Sequence, residues 1–284
     1  MQIFIDGHID LQQQLNKKGF VKINLLPDVT IKELLEVYHK YPNPKNNYFG
    51  FHVTLDLQEQ DKISMISDKI AALIQPYTDT YFADYRFISP RYAVKEPTAN
   101  SDIPPHQDWS FVDESRYQSY NLWIALTPST LENGTLGFLK GSHNVLNNFR
   151  ATPLPIFHVP FHDYAYELSG ELEFITLEAG EALLFNSRII HASRPNKSNS
   201  PRITIATEIT SKEAELKHYY LSPTNQKIEQ YAIDADFFTI YSNAKLTALF
   251  NQRKSITGYP VQAVLPNKLD KISKDELLSE CSKY

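Results

Sequence analysis

The chain has 284 residues, 42% hydrophobic and 21% charged, with a formal net charge of −5. Such usage is that of a folded globular chain and excludes a disordered or fibrous one. No long basic run offers the footprint of a nucleic-acid binder, no stretch has the apolar length of a membrane span, and the single cysteine, Cys281, excludes an intramolecular disulfide and thiolate metal clusters. Asp6, His8 and Asp10 stand where a leader would carry a basic and then an apolar segment, so the expected compartment is the cytoplasm. We expect one domain over 1–284, with N-terminal helices at about 9–76, a β-core at about 79–210 and a C-terminal flank or lid at 211–284.

Residues 11–18 read as a short helix stopped by Gly19, followed by a strand over 20–25. Asp28 or Thr30 can cap a helix running to about Tyr41. Between 59 and 75, Ile63, Ile66, Ile70, Leu73 and Ile74 recur at three- and four-residue spacings, which predicts a helix whose apolar stripe packs on a sheet. From about Asp79 the texture turns to aromatic and β-branched runs divided by Pro, Gly and Asn, at 81–94, 120–126, 135–139, 172–177, 182–185 and 203–209. This predicts a β-domain. Two long irregular connections, 144–170 and 194–201, interrupt it, and the first is expected to supply substrate contacts. After Ser211 a region rich in Tyr and Phe leads through Phe237, Phe238 and Tyr241 to a polar end; Cys281 there reads as incidental.

Two short segments carry the chemistry. In an extended strand, residues i and i+2 leave the same face, so His106 and Asp108 can converge on one ion while Gln107 points away. His191 follows the strand-like run 182–185 and a turn at 186–188, and it can complete a set of two imidazoles and one carboxylate. Most histidines taken singly are solvated or hydrogen-bonded side chains. A set of this kind suits non-haem iron(II) with open positions. Zinc is the competing metal, although hydrolytic zinc sites usually carry both histidines on a helix as H-E-x-x-H, a pattern this chain lacks.

The stretches PHQDWSFVDE (105–114), NLWIAL (121–126), Asn133–Gly134, GSH (141–143), GEALLF (180–185) and HASRPNKSNSPR (191–202) together resemble, in order and spacing, the phytanoyl-CoA dioxygenase family of iron(II)- and 2-oxoglutarate-dependent oxygenases. The resemblance covers about residues 9–210. It implies a mainly β fold with flanking helices, a double-stranded β-helix or cupin-like jelly roll. It implies iron ligation by His106, Asp108 and His191, and binding of the far carboxylate of 2-oxoglutarate by Arg202, whose planar guanidinium is a permanently charged two-pronged donor. Ser193 would be a hydroxyl partner of that carboxylate and Trp123 an aromatic wall beside it. Lys95, on the strand leading into the site, is a further candidate, with an exposed strand lysine as its commoner reading. The GSH tripeptide marks a turn at a strand end, so His143 reads as structural. Asp113 and Glu114 read as a solvated loop or as contacts for an amine-bearing substrate.

The activity so implied uses iron(II), 2-oxoglutarate and O2 to hydroxylate an unactivated C–H bond of a small molecule, such as an amino acid-like compound, a peptide or a natural-product intermediate, with release of succinate and CO2. Retention of Asp108 favours hydroxylation over halogenation. A cupin-like metal-dependent isomerase or hydrolase without 2-oxoglutarate, and a non-catalytic jelly-roll binding protein, are the alternatives. The expected partner is a small molecule, with neither nucleic acid nor membrane, and the oligomeric state is left open.

Overall fold

A computed structural model describes residues 2–43, 49–154 and 157–284. The strands in chain order are β1 (Phe20–Asn24), β2 (Phe51–Val53), β3 (Tyr85–Lys95), β4 (Ile103–His106), β5 (Ser119–Ala125), β6 (Leu136–Phe138) and β7 (Glu173–Phe174). They continue as β8 (Glu181–Asn186), β9 (His191–Ser193), β10 (Arg202–Ser211), β11 (Lys217–Leu221), β12 (Ile228–Ala232) and β13 (Val261–Leu265). The helices are α1 (Ile9–Lys18), α2 (Asp28–Lys40), α3 (Gln60–Thr78), α4 (Ser142–Val145), α5 (Phe237–Ile240), α6 (Asn243–Asn251) and α7 (Lys274–Cys281).

α1 stops at Gly19 because the chain there takes φ +88° and its N–H returns to the Leu15 carbonyl. An added Cβ would also collide with the His143 ring, so only glycine fits. α2 starts as expected, but neither Asp28 nor Thr30 caps it. Pro27 occupies the cap in extended conformation, and the Thr30 hydroxyl donates to Tyr77 instead. α3 runs past residue 75 to Thr78, with Pro76 in its last turn.

Ile63, Ile66, Ile70 and Ile74 of α3 are buried, with Ile31 and Leu34 of α2, against Tyr92, Val94, Leu122, Ile124, Ile203 and Ile205 of the major sheet. That sheet is antiparallel in the order β1-β8-β5-β10-β3-β2. A second antiparallel sheet, β4-β9-β6-β7, faces its other side: Leu136 and Phe138 of β6 meet Trp123, Leu183, Phe185 and Ala206. Two opposed antiparallel sheets with helices on one outer face make a double-stranded β-helix.

Some strands are shorter than their composition predicts. β3 begins at Tyr85 rather than 81, with Phe82 making only an isolated bridge to Phe4. The run at 172–177 reduces to β7 plus a bridge from Leu177 to Ser129, since it lies at a sheet edge with one neighbour. Segment 144–170 carries the end of α4 and a 3-10 turn at His162–Gly170, while residues 155 and 156 lie outside the described ones.

Beyond β10, the sheet β11-β12-β13 and helices α5 and α6 pack through Phe237, Phe238, Tyr231 and Leu246 against Ile88 and Phe111. α7 packs its Leu277 and Cys281 with Leu139, Leu146 and Phe161, so the lone thiol is a buried apolar contact. No helix among the described residues is long and apolar enough to cross a membrane.

Candidate active site

His106, the last residue of β4, pairs directly with His191, the first residue of β9. Cross-strand partners bring their side chains together, and the two imidazole centroids lie 4.2 Å apart. Asp108 Oδ1 is 3.9 Å from His106 Nε2 and 3.7 Å from His191 Nε2, and the three ligand atoms fall within 4.8 Å of one another. Asp108 arrives there differently from the expectation. β4 ends at His106, so the carboxylate is aimed by loop contacts rather than by the strand's pleat: its N–H donates to the Ser187 carbonyl, and its own carbonyl accepts from Arg150 Nε. Gln107 does point away, donating to the Arg188 carbonyl.

Each imidazole is anchored behind the site. His106 Nδ1 lies 2.9 Å from the Pro104 carbonyl and His191 Nδ1 3.1 Å from that of Ile189. The tautomer that satisfies both carbonyls carries the proton on Nδ1 and leaves the Nε2 lone pair facing Asp108, as metal ligation requires. Desolvation, with His191 beside it, pushes the His106 pKa below its ordinary value, which favours the neutral ring.

The triad opens on a cavity of about 180 Å³ that Arg202, Trp123 and Ser193 also line. Arg202 is 1% exposed. Its guanidinium lies 4.8 Å over the Trp123 ring and donates to the Gly134 carbonyl, while Nε has no partner. Among the described residues no carboxylate pairs with it, and burial lowers its pKa to about 9. A buried cation with unused donors is costly unless an anion joins it. Gly134 takes φ +80°, and a Cβ there would collide with the Arg194 carbonyl, so glycine is what lets this loop present its carbonyl to Arg202.

Lys95 is fully buried, against the reading of an exposed strand lysine. It projects from the face of the major sheet that β9 and the loop after it cover, where Ser193, Arg194 and Gly134 close over it and leave no route to solvent. Nζ donates to Ser193 Oγ at 2.6 Å and to the Arg194 carbonyl at 2.7 Å. Burial and the charge of Arg202 push it down to about 6. All seven candidate residues therefore belong to one constellation, with Lys95 reaching the cavity through Ser193.

Sequence reasoning missed a second compartment of about 200 Å³ on the other side of Asp108, lined by Arg91, Glu208, Asp56, Trp109, Phe111, Phe238 and Tyr241 among others. Arg91 donates twice to Glu208, at 2.8 and 2.6 Å, and Asn121 Nδ2 lies 3.4 Å from both Asp108 Oδ2 and Glu208 Oε1. A signal existed: Glu208 shares the alternation of Arg202 along β10 and interrupts an otherwise apolar and hydroxyl-bearing run. On β3, Ser89 (φ +53°) and Pro90 stand opposite Thr207 alone, a bulge that lets Arg91 face the cavity while Ile88 beyond it still faces the C-terminal core.

Two expectations change. Segment 144–170 contributes no described residue to either compartment; it supplies Arg150, which holds the Asp108 and Trp109 carbonyls from behind. Glu114 is neither solvated nor free for substrate, because it forms a two-pronged pair with the buried Arg150. Asp113 keeps the solvated-loop reading, accepting from the Ser115 N–H and hydroxyl at the surface. His143 is structural as read, buried with Nε2 on the Asn16 carbonyl.

A model of the family described as phytanoyl-CoA dioxygenase (PhyH) matches residues 42–204, more than half of the chain. A curated phytanoyl-CoA dioxygenase of Arabidopsis thaliana is 34% identical over 116 residues, 39% of this chain and 39% of that protein. The 1-deoxypentalenic acid 11-beta-hydroxylase of Streptomyces arenae is 29% identical over 116 residues, 37% of this chain and 40% of that one. The chain thus spans about two fifths of the length of the curated relatives it matches. Among solved structures, the non-heme alpha ketoglutarate dependent carbocyclase SnoK from nogalamycin biosynthesis aligns with TM-score 0.53 at 17% identity, over 73% of this chain and 85% of that one. The epimerase SnoN, in complex with Fe3+, alpha ketoglutarate and a nogalamycin compound, aligns with TM-score 0.52 at 18% identity, again over 73% and 85%. These two likenesses are of fold.

Proposed function

This chain belongs to the phytanoyl-CoA dioxygenase family, and on that premise we propose that it is an iron(II)- and 2-oxoglutarate-dependent dioxygenase that hydroxylates an unactivated C–H bond of a small molecule. His106, Asp108 and His191 would hold the iron. Arg202 and Ser193, backed by Trp123 and Lys95, would hold 2-oxoglutarate. Bound together, iron(II), 2-oxoglutarate and O2 supply an oxidant strong enough for such a bond and release succinate and CO2.

The residues present fit these groups. The donor set is two imidazoles and a carboxylate whose ligand atoms converge, the chemistry that non-haem iron sites use. The carrying observation is Arg202: a buried guanidinium without a carboxylate partner, sharing one cavity with that donor set. Such a cation beside converging metal ligands supports this reading over a hydrolase without 2-oxoglutarate or a non-catalytic binding protein.

The chain's own work is positional. The Pro104 and Ile189 carbonyls fix the imidazole orientations, and the Ser187 and Arg150 contacts fix Asp108. Phe185, Leu136, Ala192 and Ala206 wall the cavity with apolar surface, which keeps water from a reactive centre. Asn121 ties Asp108 to Glu208, joining the metal side to the second compartment, where the small-molecule substrate would sit.

Adding 2-oxoglutarate to the anaerobic iron(II) protein should produce a visible charge-transfer absorption, and His106→Ala should remove both this band and retained iron. A native protein that binds iron(II) but shows no band would overturn the assignment.

A further inference from the structure

Resting on that reading of the site, we propose that the second compartment accepts a small molecule bearing one ammonium group on an apolar body, with Asp56 as the recognising carboxylate and Trp109 and Tyr241 among its walls. The compartment shares Val53, Arg91 and Asp108 with the cosubstrate cavity, so a ligand within it lies beside the metal-ligating carboxylate.

Its charges decide the class of ligand. Arg91 and Glu208 neutralise each other through two short hydrogen bonds. Asp56 is left over. It accepts the Val53 N–H at 2.9 Å, and no Lys or Arg pairs with it among the described residues; the nearby His52, hydrogen-bonded to Glu96, offsets its charge only in part. Burial accordingly pushes the Asp56 carboxyl above its usual range. The first turn of α6, at Ser242 to Ala244, also faces the compartment, but a helix end offers only about half a positive charge, which leaves the balance negative. One ammonium group balances it, whereas an anionic ligand would place a further negative charge beside Asp56 and Glu208.

The walls suit the rest of such a molecule. Trp109 and Phe111 pack with centroids 6.3 Å apart, and Phe111 and Phe238 at 5.5 Å, so the apolar side of the pocket is held in place before a ligand arrives. Aromatic faces attract a cation as well as covering an apolar body.

The two tryptophans of the chain stand one in each compartment, Trp109 here and Trp123 over the cosubstrate side. Fluorescence can therefore address them separately. In the metal-free Trp123→Phe protein, phenethylammonium should change Trp109 emission and bind at least about tenfold more tightly than 2-phenylethanol, its neutral counterpart, while 3-phenylpropionate should bind least. Asp56→Asn keeps an acceptor for the Val53 N–H and should weaken the ammonium by about tenfold or more, leaving the alcohol unchanged. No response to the amine, equal or tighter binding of the alcohol or the propionate, or an Asp56→Asn protein that binds the amine as before, would each overturn the proposal. In the Trp109→Phe protein, Trp123 reports 2-oxoglutarate alone; failure there counts against the dioxygenase reading and leaves the amine result standing.

Discussion

Replacing Arg202 with Met should loosen cosubstrate binding while leaving the ligand-free fold intact or firmer. The guanidinium has one acceptor, the Gly134 carbonyl, and a buried Nε with none, and its pKa falls from 12.5 to about 9 by burial. At 1.36 kcal/mol per pH unit, that fall corresponds to about 5 kcal/mol against the charged form, an upper bound that local relaxation reduces. Against it stand the Gly134 hydrogen bond, about 1 kcal/mol, and the contact with Trp123, about 1–2 kcal/mol. Met fills similar space without a charge. The ligand-free variant should therefore be as stable as the parent or about 1–2 kcal/mol more stable, a rise in Tm of a few degrees. Two charge-assisted bonds to a carboxylate, about 1.5–3 kcal/mol each, would be lost, which weakens 2-oxoglutarate by about a hundredfold or more. Thermal unfolding without ligands and anaerobic titration of 2-oxoglutarate read the two effects separately. A variant destabilised by more than about 2 kcal/mol, or one with native affinity for 2-oxoglutarate, would refute the view of Arg202 as a cation held uncompensated for a ligand.

Glu114→Gln strips the charge that balances Arg150, itself 1% exposed; a loss of about 3 kcal/mol in urea unfolding is expected, and an unchanged midpoint would contradict it. Gly134→Ala should raise the KM for 2-oxoglutarate more than it lowers kcat, because the added Cβ displaces the loop that braces Arg202. Burial lowers His143 to about 4 and His218 to about 3, both below the unfolded value of 6.5. Below pH 6.5 the unfolded chain therefore binds protons that the folded chain refuses, and stability falls with pH by about 1.4 kcal/mol per unit for each histidine until the folded pKa is reached. Urea midpoints at pH 7 and pH 5 should differ accordingly, and His218→Gln should remove about 2 kcal/mol of that difference.

Helices α1 to α3 and the three residues that converge as candidate metal ligands were legible because local chemistry sets them, whereas α4 to α7 were not read as helices. The α3 isoleucines recur at helical spacing, Gly19 sits where the chain must turn left-handed, and the HQD segment with its distant HASR partner carries a ligand set that few other arrangements use. What tertiary structure decided is the environment of each charge. The register of β4 against β9 puts His191 opposite His106; the packing of Ser193 and Arg194 over that face of β3 buries Lys95; and the fold brings Arg150 under Glu114, removing a residue that had read as solvated. The second compartment was invisible for the same reason. Asp56, Arg91, Glu208 and Tyr241 come from four separate stretches of chain, and a sequence shows which charges exist but not which of them find partners. Residue types and spacings determined which side chains are candidates to ligate a metal and to hold a carboxylate, because those chemical capacities belong to the side chains themselves. Which charges are left uncompensated, and hence what ligand the site calls for, depends on burial and pairing across the sheets, which exist only once the chain is folded.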